Sequence, residues 1–262
     1  MKYIDVSTWQ KTIDWEKVEA AGVDGVLIRA GFGTSTIDNK FIRNISECNR
    51  LGIPCGVYWF SYATDVETAK QEARACLNAI APYRVELPVC FDFEYDSIRY
   101  AKEQGVTVTK ELATSFVHAF CGVIEEAGYY AMNYANPDFL SNYFDESVLR
   151  YDLWYAAYPG GTPDLTQKPR EEVGIWQYTS SSTVDGIDGT VDMNVAYKDY
   201  KAIIAAAGLN RLPGAWSAEA RAWAEQNGLV QGTGDGMAYQ RPMTREEVVT
   251  LLHRFHQMLK MS

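Results

Sequence analysis

Two carboxylates stand two residues apart in Phe91-Asp92-Phe93-Glu94-Tyr95, following an apolar run, Leu87-Pro88-Val89-Cys90, that reads as a buried β-strand. Alternate side chains of a strand share a face, so Asp92 and Glu94 are expected to point the same way, with Cα atoms about 6.5–7 Å apart. Acids are rarely buried without a partner, so the pair needs an explanation. At the C-terminal end of a barrel strand, two such groups can act as general acid and charge stabiliser. Taken alone, the same residues are better described as a strand that runs into a solvated loop through Asp96.

Other candidate strand ends carry polar and aromatic side chains as well. Asp5 ends the first and is followed by Ser7 and Trp9; Tyr58-Trp59-Phe60-Ser61-Tyr62 ends the third; Tyr134 ends the fifth. Trp154, Tyr155 and Tyr158 belong to the sixth, Trp176-Gln177-Tyr178 to the seventh, and Asp192 and Asn194 to the last. Seventeen tyrosines and seven tryptophans favour an amphipathic, half-exposed use, because buried Tyr and Trp need partners for their polar atoms. Aromatic faces beside carboxylates suit a carbohydrate. Core packing accounts for some of these aromatics, and turns or caps for single acids.

Rival chemistries lack their parts. Residues 1–207 contain one histidine, His118, in Phe116-Val117-His118-Ala119-Phe120. A zinc hydrolase normally needs more ligands than that, and a Ser or Cys nucleophile normally needs its own base. No dinucleotide fingerprint or P-loop is present, so no cofactor and no metal are expected. Carboxylates remain as the catalytic candidates.

Elements must position them. Short apolar runs at 3–6, 25–30, 54–61, 87–93, 129–134, 153–157, 174–178 and near 190–192 alternate, in the first half, with amphipathic stretches at 15–21, 39–51, 66–81 and 110–127. Helices fade after Tyr134, and Pro159-Gly160-Gly161 and Ser180-Ser181-Ser182 read as loops. The pattern predicts an α/β fold, an irregular (β/α) barrel, with a doubly wound open sheet as the alternative. After a helical stretch at 195–207, residues 208–214 read as a linker and 215–262 as a small helical module. That module shows a helix at 217–226, a glycine-rich turn at 232–236, and a second helix whose capping box is Thr244 with Glu247.

The net charge of −10 argues against nucleic acid as a partner. Residues 209–262 are nearly balanced, with six basic and five acidic side chains, so the acidity belongs to the preceding segment. No apolar stretch approaches the ~20 residues of a membrane span, so no membrane partner is expected. The start, Met1-Lys2-Tyr3-Ile4-Asp5, has no signal-peptide pattern. Five cysteines without Cys-x-x-Cys spacing read as reduced core thiols. The expectation is a protein made in a cytoplasm.

Ile4-Asp5-Val6-Ser7-Thr8-Trp9-Gln10, Ile13-Asp14-Trp15, Ile28-Arg29-Ala30-Gly31, Gly56-Val57-Tyr58-Trp59-Phe60-Ser61-Tyr62, the Asp92-Phe93-Glu94 strand and Val191-Asp192-Met193-Asn194 together resemble glycoside hydrolase family 25. These are muramidases, also called Chalaropsis-type lysozymes, and the resemblance covers about residues 2–200. It implies a flattened, TIM-like barrel over 1–207 that cleaves the β-1,4 bond between N-acetylmuramic acid and N-acetylglucosamine in peptidoglycan glycan strands. It makes Glu94 the general acid, with a pKa raised by Asp92 beside it. Asp92 then steadies the substrate's own N-acetyl group as it attacks, giving retention; direct attack by a carboxylate and inversion through water stay open. Asp5 and Asp192 shape the field, and Tyr62, Tyr134, Trp154, Gln177 and Tyr58 are implied to line the sugar groove.

The tail resembles one S-layer-homology module, through 223–232, Asp235-Gly236 and 241–247. That implies attachment to a cell-wall polymer or self-association. Without a visible signal, the whole resembles a phage-type endolysin that reaches the wall after release. A chitinase-like barrel is the second enzymatic reading, although Cys90 stands where such enzymes carry another Asp. A non-catalytic wall-glycan binder is the third.

Overall fold

The computed structural model describes residues 1–210, 218–231 and 243–261. Eight strands close into a barrel: β1 (Lys2–Val6), β2 (Gly25–Phe32), β4 (Cys55–Phe60), β5 (Val89–Asp92), β6 (Ala131–Ala135), β7 (Asp152–Ala156), β8 (Val173–Ser182) and β9 (Val191–Ala196). A two-residue strand, β3 (Thr36–Ile37), extends β2 at its edge. From β1 through β2 and β4 to β8 every neighbouring pair is parallel, whereas β9 runs antiparallel to both β8 and β1 and seals the ring. The barrel expectation is met; an open sheet is not, because β1 pairs with both β2 and β9.

Helices α1 (Trp15–Ala20), α2 (Phe41–Leu51), α3 (Val66–Ile80), α4 (Tyr95–Glu103), α5 (Lys110–Glu126) and α6 (Pro137–Asn142) join the strands, and α7 (Tyr200–Ala207) follows the last of them. Local chemistry starts most of them: Asp14, Asp65, Thr109, Asn136 and Asp199 each accept a backbone N–H at a helix N-terminus. The outer apolar layer, including Val57, Trp59, Phe91, Phe116 and Phe120, lies between strands and helices. A separate inner cluster of Tyr3, Leu27, Tyr58, Cys90, Met132, Tyr134, Trp154 and Ile175 fills the barrel. Residues two apart on a strand share a face, so one alternation serves both layers.

Several boundaries differ from those read in the sequence. β5 ends at Asp92, and Glu94 becomes the N-cap of α4 rather than a strand residue; its backbone stays extended (φ −132°, ψ −169°), so the shared direction of the two acids survives. The helix expected over 195–207 starts at Tyr200, because Asp192, Asn194 and Ala196 alternate into the barrel as a strand and Asp199 supplies the cap. Ser180-Ser181-Ser182 belong to β8 rather than to a loop.

The opposite end of the barrel has a polar floor. Asp152 accepts from Tyr130 Oη (2.8 Å), Tyr200 Oη (2.8 Å) and Lys198 Nζ (2.6 Å). A Cβ at position 174 would collide with the Tyr200 hydroxyl, so glycine is required there. Asn210 accepts the Tyr130 N–H and donates to the Leu87 carbonyl (2.9 Å), and Leu209 packs on the inner cluster. The first three residues of the expected linker are thus held against the barrel.

In the tail, α8 (Ala218–Gln226) and α9 (Arg245–Met261) match the two expected helices. Thr244 caps α9 as expected: Glu247 N–H donates to Thr244 Oγ1, and Thr244 N–H to Glu247 Oε2. The glycine-rich turn at 232–236, linker residues 211–214 and Arg241-Pro242 lie outside the described residues.

Candidate active site

The inner faces of the strand ends converge on carboxylates. Asp5 and Asp192 are paired across β1 and β9, and Asp92 lies between Phe60 and Tyr134 in neighbouring strands. Glu94 follows at the N-terminus of α4, held by its own N–H donating to Ser97 Oγ (3.0 Å). Asp92 and Glu94 lie close enough for each to alter the other's hold on its proton. A groove of about 530 Å³ opens beside them, lined by Arg29, Tyr58, Phe60 and Tyr62 among others.

All four acids hold their protons more tightly than free carboxylic acids, and burial is the largest cause for each. Asp92 is pushed up further by the charges of Glu94 and Asp5, against the pull of Arg29. Glu94 rises to about 7 through burial, with Asp96 and Asp192 adding to it; the Asp92 hydrogen bond acts in the opposite direction. Burial, rather than the charge of Asp92, therefore keeps Glu94 protonated, which differs from the cause expected from sequence. Asp5 is raised by burial and by Asp192, partly offset by hydrogen bonds from Asn194 and Gln177. Each pair titrates as a unit, so the steps belong to the pair rather than to either carboxyl.

Amides brace this arrangement. Gln177 Nε2 donates to Asp5 Oδ2 (2.9 Å) and Asp192 Oδ2 (3.3 Å), while its Oε1 accepts from Tyr158 Oη (2.7 Å) and Tyr134 Oη (3.2 Å). Asn194 Nδ2 donates to the same Asp5 oxygen (2.9 Å), while its Oδ1 accepts from Trp154 Nε1 (2.7 Å). Trp154 packs edge-on against Tyr58 and Tyr134. Of the residues expected in the sugar groove, Tyr58 and Tyr62 line it, whereas Tyr134, Trp154 and Gln177 are buried in the layer beneath the acids.

Three polar residues escaped the sequence reading. Arg29 faces the groove from β2, its guanidinium paired with buried Asp38 (2.7 Å). A charged residue inside the apolar run 25–30 was a legible signal for it. Asp38 and Glu72 carried none. Glu72, 0% exposed on α3, accepts from Ser61 Oγ (2.5 Å) and Tyr62 N–H (2.7 Å), and so fixes the turn that presents Tyr62.

His118 lies on α5, with Nε2 2.7 Å from Ser147 Oγ. All five cysteines are buried and unpaired. Among the described residues no cluster of potential metal ligands occurs, and no helix is long and apolar enough to cross a membrane.

Comparison with known proteins agrees with this architecture. The chain is 29% identical over 201 residues to the YegX protein of Escherichia coli K12, covering 73% of this chain and 68% of that one. It is 25% identical over 196 residues to the autolytic lysozyme of Clostridium acetobutylicum, covering 74% of this chain and 55% of the relative. The solved structure of the modular autolysin LytC from Streptococcus pneumoniae superposes with a TM-score of 0.65 at 29% identity, over 75% of this chain; the match spans only 46% of LytC. The model of the family described as Glycosyl hydrolases family 25 matches residues 4–187, most of the barrel that carries the four acids, and the chain therefore belongs to that family.

Proposed function

We propose that this protein is an N-acetylmuramidase that hydrolyses the β-1,4 bond between N-acetylmuramic acid and N-acetylglucosamine in peptidoglycan. The observation that carries the reading is the Asp92 and Glu94 pair lining an open groove, Asp92 buried and Glu94 half-buried, with both held above the usual carboxylate range. Its support from relatives is the lysozyme named above and LytC, which has also been solved with a synthetic peptidoglycan ligand.

Glu94 is the proton donor in this reading. It is the less buried of the pair, lines the groove, and keeps its proton up to about pH 7. Once it has protonated the leaving oxygen, its new negative charge lies at the N-terminus of α4, where helix amides favour an anion. Asp92 suits a second role. Its buried Oδ1 has no hydrogen-bond partner among the described residues, an unusual state for a buried acceptor. An acetamide N–H from the substrate would satisfy it while the acetamide oxygen attacks the anomeric carbon, a substrate-assisted route to retention. Asp5 and Asp192, locked by Gln177 and Asn194, supply the negative field that stabilises a developing oxocarbenium ion.

Digestion of purified peptidoglycan with mass analysis of the fragments tests the assignment. New reducing ends on N-acetylmuramic acid are expected, with the β-anomer formed first; ends on N-acetylglucosamine would replace the reading with a glucosaminidase. For the tail we propose the wall attachment or self-association that its S-layer-homology resemblance implies. Sedimentation with purified walls and light scattering of the whole protein distinguish the two. A lytic role after release, as for an endolysin, predicts clearing of a suspension of susceptible cells treated from outside.

A further inference from the structure

The groove has a far wall to which the four acids assign no purpose. Trp9 lines it with 76% of its surface exposed, whereas Trp15, Trp59 and Trp154 are buried. A large indole left in water is unfavourable, and a chance exposure would be expected on a loosely held loop. This loop is tightly held. Trp9 N–H donates to Ser7 Oγ (3.3 Å), Ser7 N–H to Gln10 Oε1 (2.9 Å), and Gln10 Nε2 to the Thr190 carbonyl (3.4 Å).

Asp38 fastens the same wall from beneath. One of its oxygens accepts from Thr8 N–H (3.1 Å) and from Arg29 Nε (2.8 Å), and the other accepts from Lys40 N–H (2.9 Å). A single buried acid thus joins the loop after β1, the strand β2 and the start of α2. Phe32 and Ile37 continue the apolar surface from Trp9, and Phe32 meets Tyr62 edge-on at 6.2 Å between centroids. The wall is a preorganised apolar face with polar groups at its rim. That combination matches a pyranose, whose C–H faces lie on aromatic rings while its hydroxyls point sideways to hydrogen-bonding groups.

We propose that Trp9, with Phe32 and Ile37, forms a stacking subsite for a non-reacting sugar ring of the bound glycan strand. The proposal rests on the muramidase reading and adds a direction to it: the strand leaves the acid pair across the mouth of β1 and β2. A groove of about 530 Å³ has room for more than one ring. Because the platform touches a ring that does not change during reaction, it binds ground state and transition state alike, and so acts on KM rather than on kcat.

Kinetics on glycan strands of graded length, released from peptidoglycan, provide the test. Wild-type KM should fall as strands lengthen. Trp9→Ala should raise KM about tenfold on long strands, keep kcat within twofold, and flatten the dependence on length; Trp9→Tyr should restore most of it. An unchanged KM on long strands overturns the proposal, and so does a kcat lowered equally at every length. A wild-type protein that cleaves no strand sinks the muramidase reading instead. In that event, calorimetric titration of the same strands into Glu94→Gln with and without Trp9→Ala decides the subsite alone, an equal Kd counting against it.

Discussion

The two ends of the barrel treat buried carboxylates in opposite ways. At the floor, burial alone would raise Asp152, yet Lys198 and the hydroxyls of Tyr130 and Tyr200 outweigh it and hold the acid below its ordinary value. At the mouth, four acids face one another, and Arg29, the cation that pulls against the rise of Asp92, is engaged by Asp38. All four are raised. Floor and mouth belong to the same barrel, so the contrast reflects what surrounds each acid rather than the fold. An ion paired on every side stabilises a structure, while acids left to share protons are available for chemistry at a cost in stability.

Substitutions at each end can break this contrast. Glu94→Gln should show the largest effect, a fall in kcat of about 10³-fold, with a melting temperature equal to or above that of wild type. A coincident loss of stability would mean that the mouth is built for folding like the floor. Asp152→Ala should do the reverse, lowering stability by about 2 kcal/mol because it strands a lysine and two hydroxyls. The Lys198 side chain is 38% exposed, which keeps the cost below that of a fully buried pair. Denaturant titration reads the loss, and the folded fraction should keep wild-type kcat.

Asp5→Asn sharpens the comparison further. An asparagine oxygen can still accept from Gln177 and Asn194, and its amide can donate to Asp192, so relief of like charge should raise stability by about 1 kcal/mol. Activity should fall at least about tenfold. Lower stability with full activity would reverse the assignment of Asp5 to the site.

The pH dependence gives the smallest effect and the most direct sign. Glu94 must hold a proton to donate it, so kcat/KM should decline as pH rises through about 7. Stability follows the same groups. Acids raised in the folded state contribute fully below their unfolded values and lose that contribution as pH rises through the folded ones; buried Glu72, also near 7, behaves likewise. Asp152 contributes above its unfolded value and loses that contribution as pH falls through its lowered one. Wild type should therefore lose stability from pH 5 to 8 more steeply than Glu72→Gln does, whereas Asp152→Ala should lose less than wild type on acidification. Parallel curves would remove the distinction.

The strand ends were legible because catalysis breaks local rules: acids inside apolar runs at Asp5, Asp92 and Asp192 contradict burial, and the contradiction is visible in one dimension. The five-residue offset between the true start of α7 at Tyr200 and its expected start was not, since Val195 and Ala196 suit helix and strand alike and only pairing with β1 and β8 decides. α4 was missed for a related reason. Tyr95-Asp96-Ser97 reads as loop, and the helix forms over the barrel mouth with Tyr95 Oη bonded to Asp138. Asp38 and Glu72 had no signal, because an acid on a loop or helix looks solvated until the fold encloses it. The groove walls behaved similarly: the family resemblance put Tyr134, Trp154 and Gln177 at the groove, yet depth along the barrel axis depends on strand stagger.

The closing strand has a consequence in time. Asp5 and Asp192 face each other in the first and last strands, so their site is the product of the longest sequence separation in the barrel. During synthesis β1 leaves the ribosome early and must wait for about 190 further residues before its second neighbour exists. A nascent or truncated chain that ends before β9 carries Asp92 and Glu94 on an unsealed sheet, without the acid opposite Asp5 and without Asn194 to brace it. The ring of four acids is thus complete only when the last strand in the chain has paired with the first.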